Sequence, residues 1–200
     1  MQASACIETK ETSKPSRTSA SMCDRIGPEP ASPSDDGRAV LMTRVLHAPA
    51  LGEAETAERI ARAFTQAGVG ERVTLGGALP WDELLRVWAG MDLALMPFPY
   101  GGGVSLLEAL WMGVPAISLA GESFAARHGA SHLGVLGLDD WVAASEEAYV
   151  ARAVTHASDL GGLSRLRAEL RSRLRSSALC DARGFARAFE RALRQVSRRT

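Results

Sequence analysis

The sequence predicts an α/β fold, a Rossmann-like parallel sheet with helices on both faces and further helices packed on it at the C-terminal end. From residue 39 onward, short apolar runs alternate with segments whose apolar residues recur at helical spacing. That alternation is typical of parallel strands joined by helices. The chain of 200 residues is long enough to bury the core of one such domain.

Residues 1–38 have a different character from the rest of the chain. They are rich in Ser, Thr and Pro and show neither a helical nor a strand period. Such segments bury too little apolar surface to fold alone. We therefore predict a disordered leader over residues 1–38 and one folded domain over residues 39–200.

The elements of the predicted sheet follow one another along residues 38–119. The four predicted strands are RAVLMTRVL, RVTLGG, MDLALMPF and VPAISL. The first helix is predicted in EAETAERIARAFTQAG, which ends at Gly68, and the second in PWDELLRVWAG, which starts at Pro80. The third lies between the last two strands.

The last third is predicted to be helical. A helix begins after Ser145, which precedes two glutamates in the manner of a capping box. Two apolar stripes follow, one of leucines and one led by phenylalanines. They are Leu163, Leu166, Leu170 and Leu174, and Phe185, Phe189, Leu193 and Val196. We expect both stripes to pack inward, with the arginines facing outward.

Composition excludes several classes of function. The three cysteines have no paired spacing, which disfavours a disulfide framework or a zinc site and favours a reducing cytoplasm. No apolar run reaches the about 18 residues of a membrane span, and no secretory signal is present. Residues 161–200 carry 11 arginines against three acids. We interpret that charge as a solvated surface; a nucleic-acid or acidic-partner patch is the alternative, disfavoured because aromatic residues are not interleaved with the arginines.

The stretch PFPYGGGVSLLEALWMGVPAISL, residues 97–119, is the candidate ligand site. Its glycines, Gly101, Gly102 and Gly103, follow a predicted strand, at the sheet edge where open α/β folds bind ligands. Glycines admit a ligand close to the backbone, and the next helix N-terminus attracts anions.

Side chains around these glycines complete a possible nucleotide-diphosphate cradle. Ser105 can donate to a phosphate, Glu108 can accept from a ribose diol, and Tyr100 can pack on a sugar. Neither a nucleoside-triphosphatase loop nor a dinucleotide fingerprint is present. A flexible loop followed by a solvated carboxylate is the alternative.

Longer motifs resemble a known family. The run from residue 97 to residue 138, followed by YVARAV and SALCDARGFARAFE, resembles the C-terminal catalytic half of the bacterial O-linked N-acetylglucosamine transferase family, SPINDLY type. The resemblance implies that residues 39–200 are a nucleotide-sugar-binding domain and form one half of a GT-B glycosyltransferase. It also implies a UDP-sugar donor such as UDP-N-acetylglucosamine, a protein Ser/Thr acceptor, and no cofactor or metal.

The family's motifs place its functional positions on this chain. By resemblance, the phosphate-binding loop falls on Gly102, Gly103, Val104 and Ser105. The ribose-binding acid falls on Glu108, and the family's Ser-Arg dipeptide on Ala126 and Arg127. We assign no catalytic residue.

Several departures from the family weaken the expectation of activity in the chain alone. Where the family usually reads LDxFPYNGGTTT, this chain reads LMPFPYGGGVSL, so Met96 replaces an acid and Val104 a hydroxyl. The family's uracil-packing histidine appears as Leu84, and its phosphate-binding lysine has no counterpart after Lys14. Neither tetratricopeptide repeats, of about 34 residues each, nor the acceptor-side half is present.

These departures leave two readings. We expect the donor-binding half of a truncated protein O-glycosyltransferase, with a separate chain as the possible source of the missing parts. A non-catalytic module that binds nucleotide weakly, or only a partner protein, is the alternative. Other candidates are weaker: His128 could approach a phosphate but is expected to be an ordinary surface histidine, and the four tryptophans are expected in the core.

Overall fold

The computed structural model describes residues 4–8, 43–47 and 49–197. They form a six-stranded sheet in the order β3-β2-β1-β4-β5-β6. The strands are β1 (Ser4–Glu8), β2 (Thr43–His47), β3 (Val73–Gly76), β4 (Met91–Leu95), β5 (Ala116–Leu119) and β6 (Val142–Ala143). The helices are α1 (Ala54–Gln66), α2 (Trp81–Ala89), α3 (Val104–Trp111), α4 (His128–Val135), α5 (Glu146–Ser158), α6 (Leu160–Arg175) and α7 (Ala182–Ser197).

The predicted α/β architecture is confirmed. Strand β2 pairs in parallel with β3, and β5 pairs in parallel with both β4 and β6. All four strands predicted from apolar runs are present, and helices join them as the alternation requires. Ser145 caps α5 by accepting a 3.2 Å hydrogen bond from the backbone N–H of Ala148, as its position before two glutamates predicted.

Strand β1 differs from the sequence prediction. It lies between β2 and β4 and runs antiparallel to both. Its five residues fall inside the segment predicted to be a disordered leader. The backbone groups of β2 and β4 that face each other across this gap need hydrogen-bond partners, and an inserted extended segment supplies them on both sides. The rest of the predicted leader lies outside the described residues.

The core surrounds β4, α3 and β5. Its side chains come from both strands and from helices on the C-terminal side. Wholly buried examples are Leu85, Leu93, Leu106, Leu110, Ile117, Leu133 and Leu170. The leucine stripe of α6 packs into this core, with Leu163 and Leu174 also buried. That part of the C-terminal prediction is confirmed.

The apolar stripe of α7 does not pack on the sheet, and the prediction that it does is wrong. Each of its four large apolar side chains is more than half exposed: Phe185 70%, Phe189 55%, Leu193 54% and Val196 66%. The helix contacts the described chain mainly at the 3-10 turn Ala178–Cys180. A sequence period shows which face of a helix is apolar but not whether an element lies opposite it.

Two arginines of α6 point inward, which also corrects the prediction. Arg167 is buried and donates to the backbone carbonyls of Met91 and Ala89, with Asp92 at 3.7 Å. Burial lowers the pKa of Arg167, and the charge of Asp92 opposes that effect. Arg171 donates from Nε to the Trp111 carbonyl at 2.8 Å. These guanidinium groups bind carbonyls at the ends of α2 and α3 and at the first residue of β4, which the core would otherwise leave unsatisfied.

None of the helices among the described residues combines the length and the apolar character that a membrane span requires.

Candidate functional site

The three glycines lie at the carboxyl edge of the sheet, as predicted. Strand β4 ends at Leu95, and the loop that follows leads directly into α3. The start of this loop is fixed because the Tyr149 hydroxyl donates a 2.9 Å hydrogen bond to the carbonyl of Met96. Burial raises the pKa of Tyr149, so its hydroxyl remains a donor at neutral pH. Phe98 packs edge-on against the same ring, with centroids 5.4 Å apart.

The packing of Gly102 explains why the loop is built from glycine. A Cβ on Gly102 would lie 2.4 Å from Ser105 Oγ and 3.1 Å from Met96 Sδ. Gly101 is buried, and a Cβ there would lie 3.9 Å from the backbone nitrogen of Gly129. The loop backbone therefore packs directly against the first turns of both α3 and α4.

The N-terminus of α3 offers backbone N–H groups toward this loop. Gly103 is the residue before the helix, and it provides no side-chain hydrogen bond to the first turn. Ser105 is half-buried, whereas Val104 is exposed. Helix N-termini with uncapped first turns favour anions, because the dipole and the N–H groups act together. The arrangement suits a phosphate group.

Glu108 occupies the second turn of α3 and is half-buried. Its Oε1 accepts a 2.9 Å hydrogen bond from Trp81 Nε1. A carboxylate has about four acceptor sites, so capacity for further donors remains after this one bond. Tyr100, at the mouth of the loop, is 43% exposed and so available to a ligand.

Trp81 is the site residue that sequence analysis misses. Trp88, Trp111 and Trp141 are buried, as predicted, but Trp81 is 48% exposed and its assignment to the core is wrong. It is the first residue of α2, the helix that follows β3, so it lies at the same sheet edge as the start of α3. The sequence feature that could have identified Trp81 as a site residue is its position immediately after Pro80, where a helix starts.

Helix α4 provides a second wall beside the loop. Its first residue is His128, whose Nδ1 lies 3.5 Å from where a Cβ on Gly103 would be. Tyr100 and Phe124 approach the His128 ring edge-on, with centroids at 6.2 Å and 4.8 Å. His132 stacks on it at 6.2 Å. Burial first, and then the charge of His128, lower the pKa of His132.

Arg127 and Leu84 make other contacts in this structure. Arg127 is exposed and donates from Nη1 to the Gly121 carbonyl at 3.3 Å. Leu84, at the position of the family's uracil-packing histidine by resemblance, packs against the core. Among residues 51–197, no group of three or more His, Cys, Asp or Glu side chains is arranged to hold a metal ion.

Comparison with known proteins decides the family. Residues 38–189 match the family described as Glycosyl transferase family 41. The chain belongs to this family. The resemblance inferred from the motifs around the glycine loop is thereby confirmed.

Curated relatives in the family include plant proteins. The chain is 40% identical over 86 residues to the probable UDP-N-acetylglucosamine--peptide N-acetylglucosaminyltransferase SPINDLY of Solanum lycopersicum, covering 43% of this chain and 9% of the relative. It is 28% identical over 99 residues to the UDP-N-acetylglucosamine--peptide N-acetylglucosaminyltransferase of Caenorhabditis elegans, covering 50% and 9%. The chain therefore spans about a tenth of the length of these relatives.

A solved structure supports the same assignment. A mutant O-GlcNAc transferase from Thermobaculum terrenum superposes with a TM-score of 0.71 and 39% sequence identity. The match covers 76% of this chain and 29% of that one. The described α/β unit is accordingly one part of a GT-B glycosyltransferase architecture.

Proposed function

We propose that this domain is the donor-binding half of a protein O-glycosyltransferase and binds a UDP-sugar, with UDP-N-acetylglucosamine as the expected donor. One observation carries the proposal: the Glu108 carboxylate stands one turn from the uncapped N-terminus of α3, beside a loop that closely packed glycines form. A carboxylate for the ribose and N–H groups for the diphosphate are thus together at one sheet edge. The printed names of the relatives support this donor.

In the reaction, a Ser or Thr hydroxyl of the acceptor protein would attack the anomeric carbon of the donor. The bond from that carbon to the diphosphate oxygen would break, and UDP would leave. The contribution of this half is electrostatic: the N-terminus of α3 and the Ser105 hydroxyl stabilise the charge that develops on the leaving diphosphate. Gly101 and Val104 belong to the same stretch, and Tyr100 and Arg127 are further candidate donor contacts, Arg127 by its match to the family's Ser-Arg dipeptide. No metal or other cofactor enters the proposal.

Binding of the acceptor needs surfaces beyond this donor-binding half. The match covers 29% of the Thermobaculum terrenum chain. We propose that an acceptor-side half and repeats, from the same protein or from a separate chain, complete the acceptor site. We propose a cytoplasmic location because the cysteines lack the paired spacing of a disulfide framework.

A second candidate is a non-catalytic nucleotide-binding or partner-binding module. The observation that favours it is Val104, which is 72% exposed at the first position of α3, where a hydroxyl would add a phosphate contact. No lysine follows Lys14 in the sequence, so the phosphates lose a cationic contact, which also favours the second candidate. As a nucleotide-binding module, the second candidate shares this site with the first and differs from it in catalysis. As a module that binds only a partner protein, it lacks the nucleotide site as well.

Titration of the 200-residue chain with UDP, followed by NMR, tests the shared site. Substitution Glu108→Ala should weaken UDP binding by about 1.5–3 kcal/mol, the range for a hydrogen bond to a charged group, which is about a 10- to 100-fold rise in Kd. The exposed acid Glu169 on α6 gives the matched control, Glu169→Ala, which should leave Kd unchanged. Equal Kd values for the two variants, with both folded, would remove Glu108 from the site.

A further inference from the structure

The start of α4 carries polar atoms that the proposed roles of α3 do not use. His128 Nδ1 is buried and has no hydrogen-bond partner among the described residues. Ser118 Oγ, on β5, is wholly buried and also lacks one there. Buried polar side-chain atoms are nearly always hydrogen-bonded in folded proteins, because desolvation without a partner is costly. His132 Nδ1, one turn farther along α4, is a third such atom. Unpartnered polar atoms grouped in this way indicate a place where a ligand or a water can bind.

Both atoms border the glycine loop. A Cβ on Gly103 would lie 3.5 Å from His128 Nδ1, and a Cβ on Gly101 would lie 3.9 Å from Ser118 Oγ. Gly129 brings α4 close to β5, because a Cβ there would lie 2.0 Å from Ser118 Oγ. The His128 ring thus lies at ordinary contact distance from Gly103, the residue before α3.

The orientation of the His128 ring is fixed from several sides. Tyr100 and Phe124 contact it edge-on, and His132 stacks beside it. Arg127, the neighbouring cation, is bound to the Gly121 carbonyl and does not take this position. A ring held in this way loses little conformational freedom when it binds a ligand.

We propose that His128 donates a hydrogen bond from Nδ1 to the diphosphate of the bound nucleotide, beside Gly103 at the N-terminus of α3. The proposal rests on the nucleotide site proposed above and adds a binding residue to it. Residues 39–200 contain no lysine. In this domain the His128 imidazole therefore supplies a phosphate contact that a lysine could otherwise make. Ser118 Oγ lies behind the loop and supports the same anion-binding wall.

Three variants of the 200-residue chain separate this contact from general packing. His128→Leu removes the donor, His128→Asn keeps an amide N–H near the position of Nδ1, and His132→Asn changes the stacked ring one turn away. NMR titrations with UDP, uridine and inorganic pyrophosphate then measure which part of the ligand is affected. Dispersed amide spectra establish that each variant is folded.

We expect His128→Leu to raise the Kd for UDP and for pyrophosphate about 10-fold, the effect of one hydrogen bond to a charged group. The Kd for uridine should not change. His128→Asn should recover about half of the loss on a logarithmic scale, and His132→Asn should stay within about twofold of wild type. The imidazole NMR signals of His128 should shift when pyrophosphate is added without any nucleoside.

The outcomes distinguish this proposal from the proposed function. If His128→Leu leaves the ratio of UDP to uridine affinity unchanged while wild type still binds UDP, the His128 contact is wrong and the nucleotide site stands. If His128→Leu and His132→Asn weaken all three ligands equally, the histidines act through packing and the contact is also wrong. If wild type binds none of the three ligands, both proposals fail.

Discussion

Trp81 Nε1 and Glu108 Oε1 are joined by a 2.9 Å hydrogen bond across 27 residues of sequence. The bond connects the first residue of α2 to the second turn of α3. Both helices begin at the carboxyl edge of the sheet, which is why residues so distant in sequence meet there. An indole N–H can only donate, so the bond requires an acceptor and fixes the orientation of the Glu108 carboxylate.

The first prediction is that Trp81→Phe weakens UDP binding about three- to tenfold. Phenylalanine keeps most of the ring but removes the N–H, so Glu108 loses the donor that orients it; one hydrogen bond of this kind contributes about 1 kcal/mol. The measurement is the Kd for UDP by NMR titration. Thermal stability should change little, because Trp81 is about half exposed.

A double-mutant cycle provides the control for this prediction. If Trp81 acts through Glu108, Trp81→Phe should have no further effect on UDP binding in the Glu108→Ala background, since coupled residues are non-additive. Additive effects would show that Trp81 contacts the nucleotide by itself. Such effects would contradict the role of Trp81 in orienting Glu108.

The second prediction compares two glycines of α4. Gly129→Ala should lower the free energy of unfolding by about 1–3 kcal/mol, the cost of overpacking. A Cβ there would lie 2.0 Å from Ser118 Oγ and 2.6 Å from Ser118 Cβ. At Gly134 of the same helix, the nearest atom is Asp139 Oδ1 at 3.5 Å.

Gly134→Ala is therefore the matched control. It places a Cβ in ordinary contact and gains helix propensity, so it should be neutral or stabilising by up to about 1 kcal/mol. Urea unfolding of both variants measures the difference. Equal stability of the two would show that α4 does not pack against β5 as described.

Sequence periodicity predicted the strands and the helices but not what lies opposite each of them. The leucines of α6 and the phenylalanine-led stripe of α7 have the same helical spacing, yet only the leucines are buried. The positions of Gly101–Gly103 and Glu108 were predictable, because a strand followed by glycines and a helix determines a sheet edge. Trp81 was not, because its partner lies 27 residues away and only the packing of α2 beside α3 brings them together.

The third prediction concerns the buried guanidinium of Arg167. Substitution Arg167→Met keeps most of the side-chain volume but removes the donor to the carbonyls of Met91 and Ala89 and the contact of this guanidinium with Asp92. The free energy of unfolding should fall by about 2–4 kcal/mol, because breaking a buried charged contact leaves its partners unsatisfied. Denaturant unfolding followed by circular dichroism measures it.

The control for Arg167 is Arg173→Met on the same helix. Arg173 is exposed, so its replacement should change stability by no more than about 0.5 kcal/mol. Similar losses for both variants would mean that the charge of α6 as a whole, and not the contacts of Arg167, stabilises the domain.

The last prediction is that the 200-residue chain binds UDP weakly and transfers no sugar by itself. Glycosyl transfer needs a second wall that holds the acceptor and excludes water from the leaving diphosphate. The chain matches 29% of the solved relative, and Leu84 and Val104 replace a ring and a hydroxyl that the family's motifs would place near the nucleotide. Each lost charged contact costs about 1.5–3 kcal/mol, so two or three losses move a micromolar ligand toward millimolar.

Radiolabelled UDP-N-acetylglucosamine and a Ser/Thr peptide provide the assay, with the Glu108→Ala variant prepared in parallel to reveal contaminating enzyme. Restoring single side chains, as in Leu84→His or Val104→Thr, should improve UDP affinity without producing transfer, because the acceptor wall is still missing. Linear transfer by the wild-type chain that Glu108→Ala abolishes would overturn this prediction. It would show that one half of the fold is sufficient for sugar transfer.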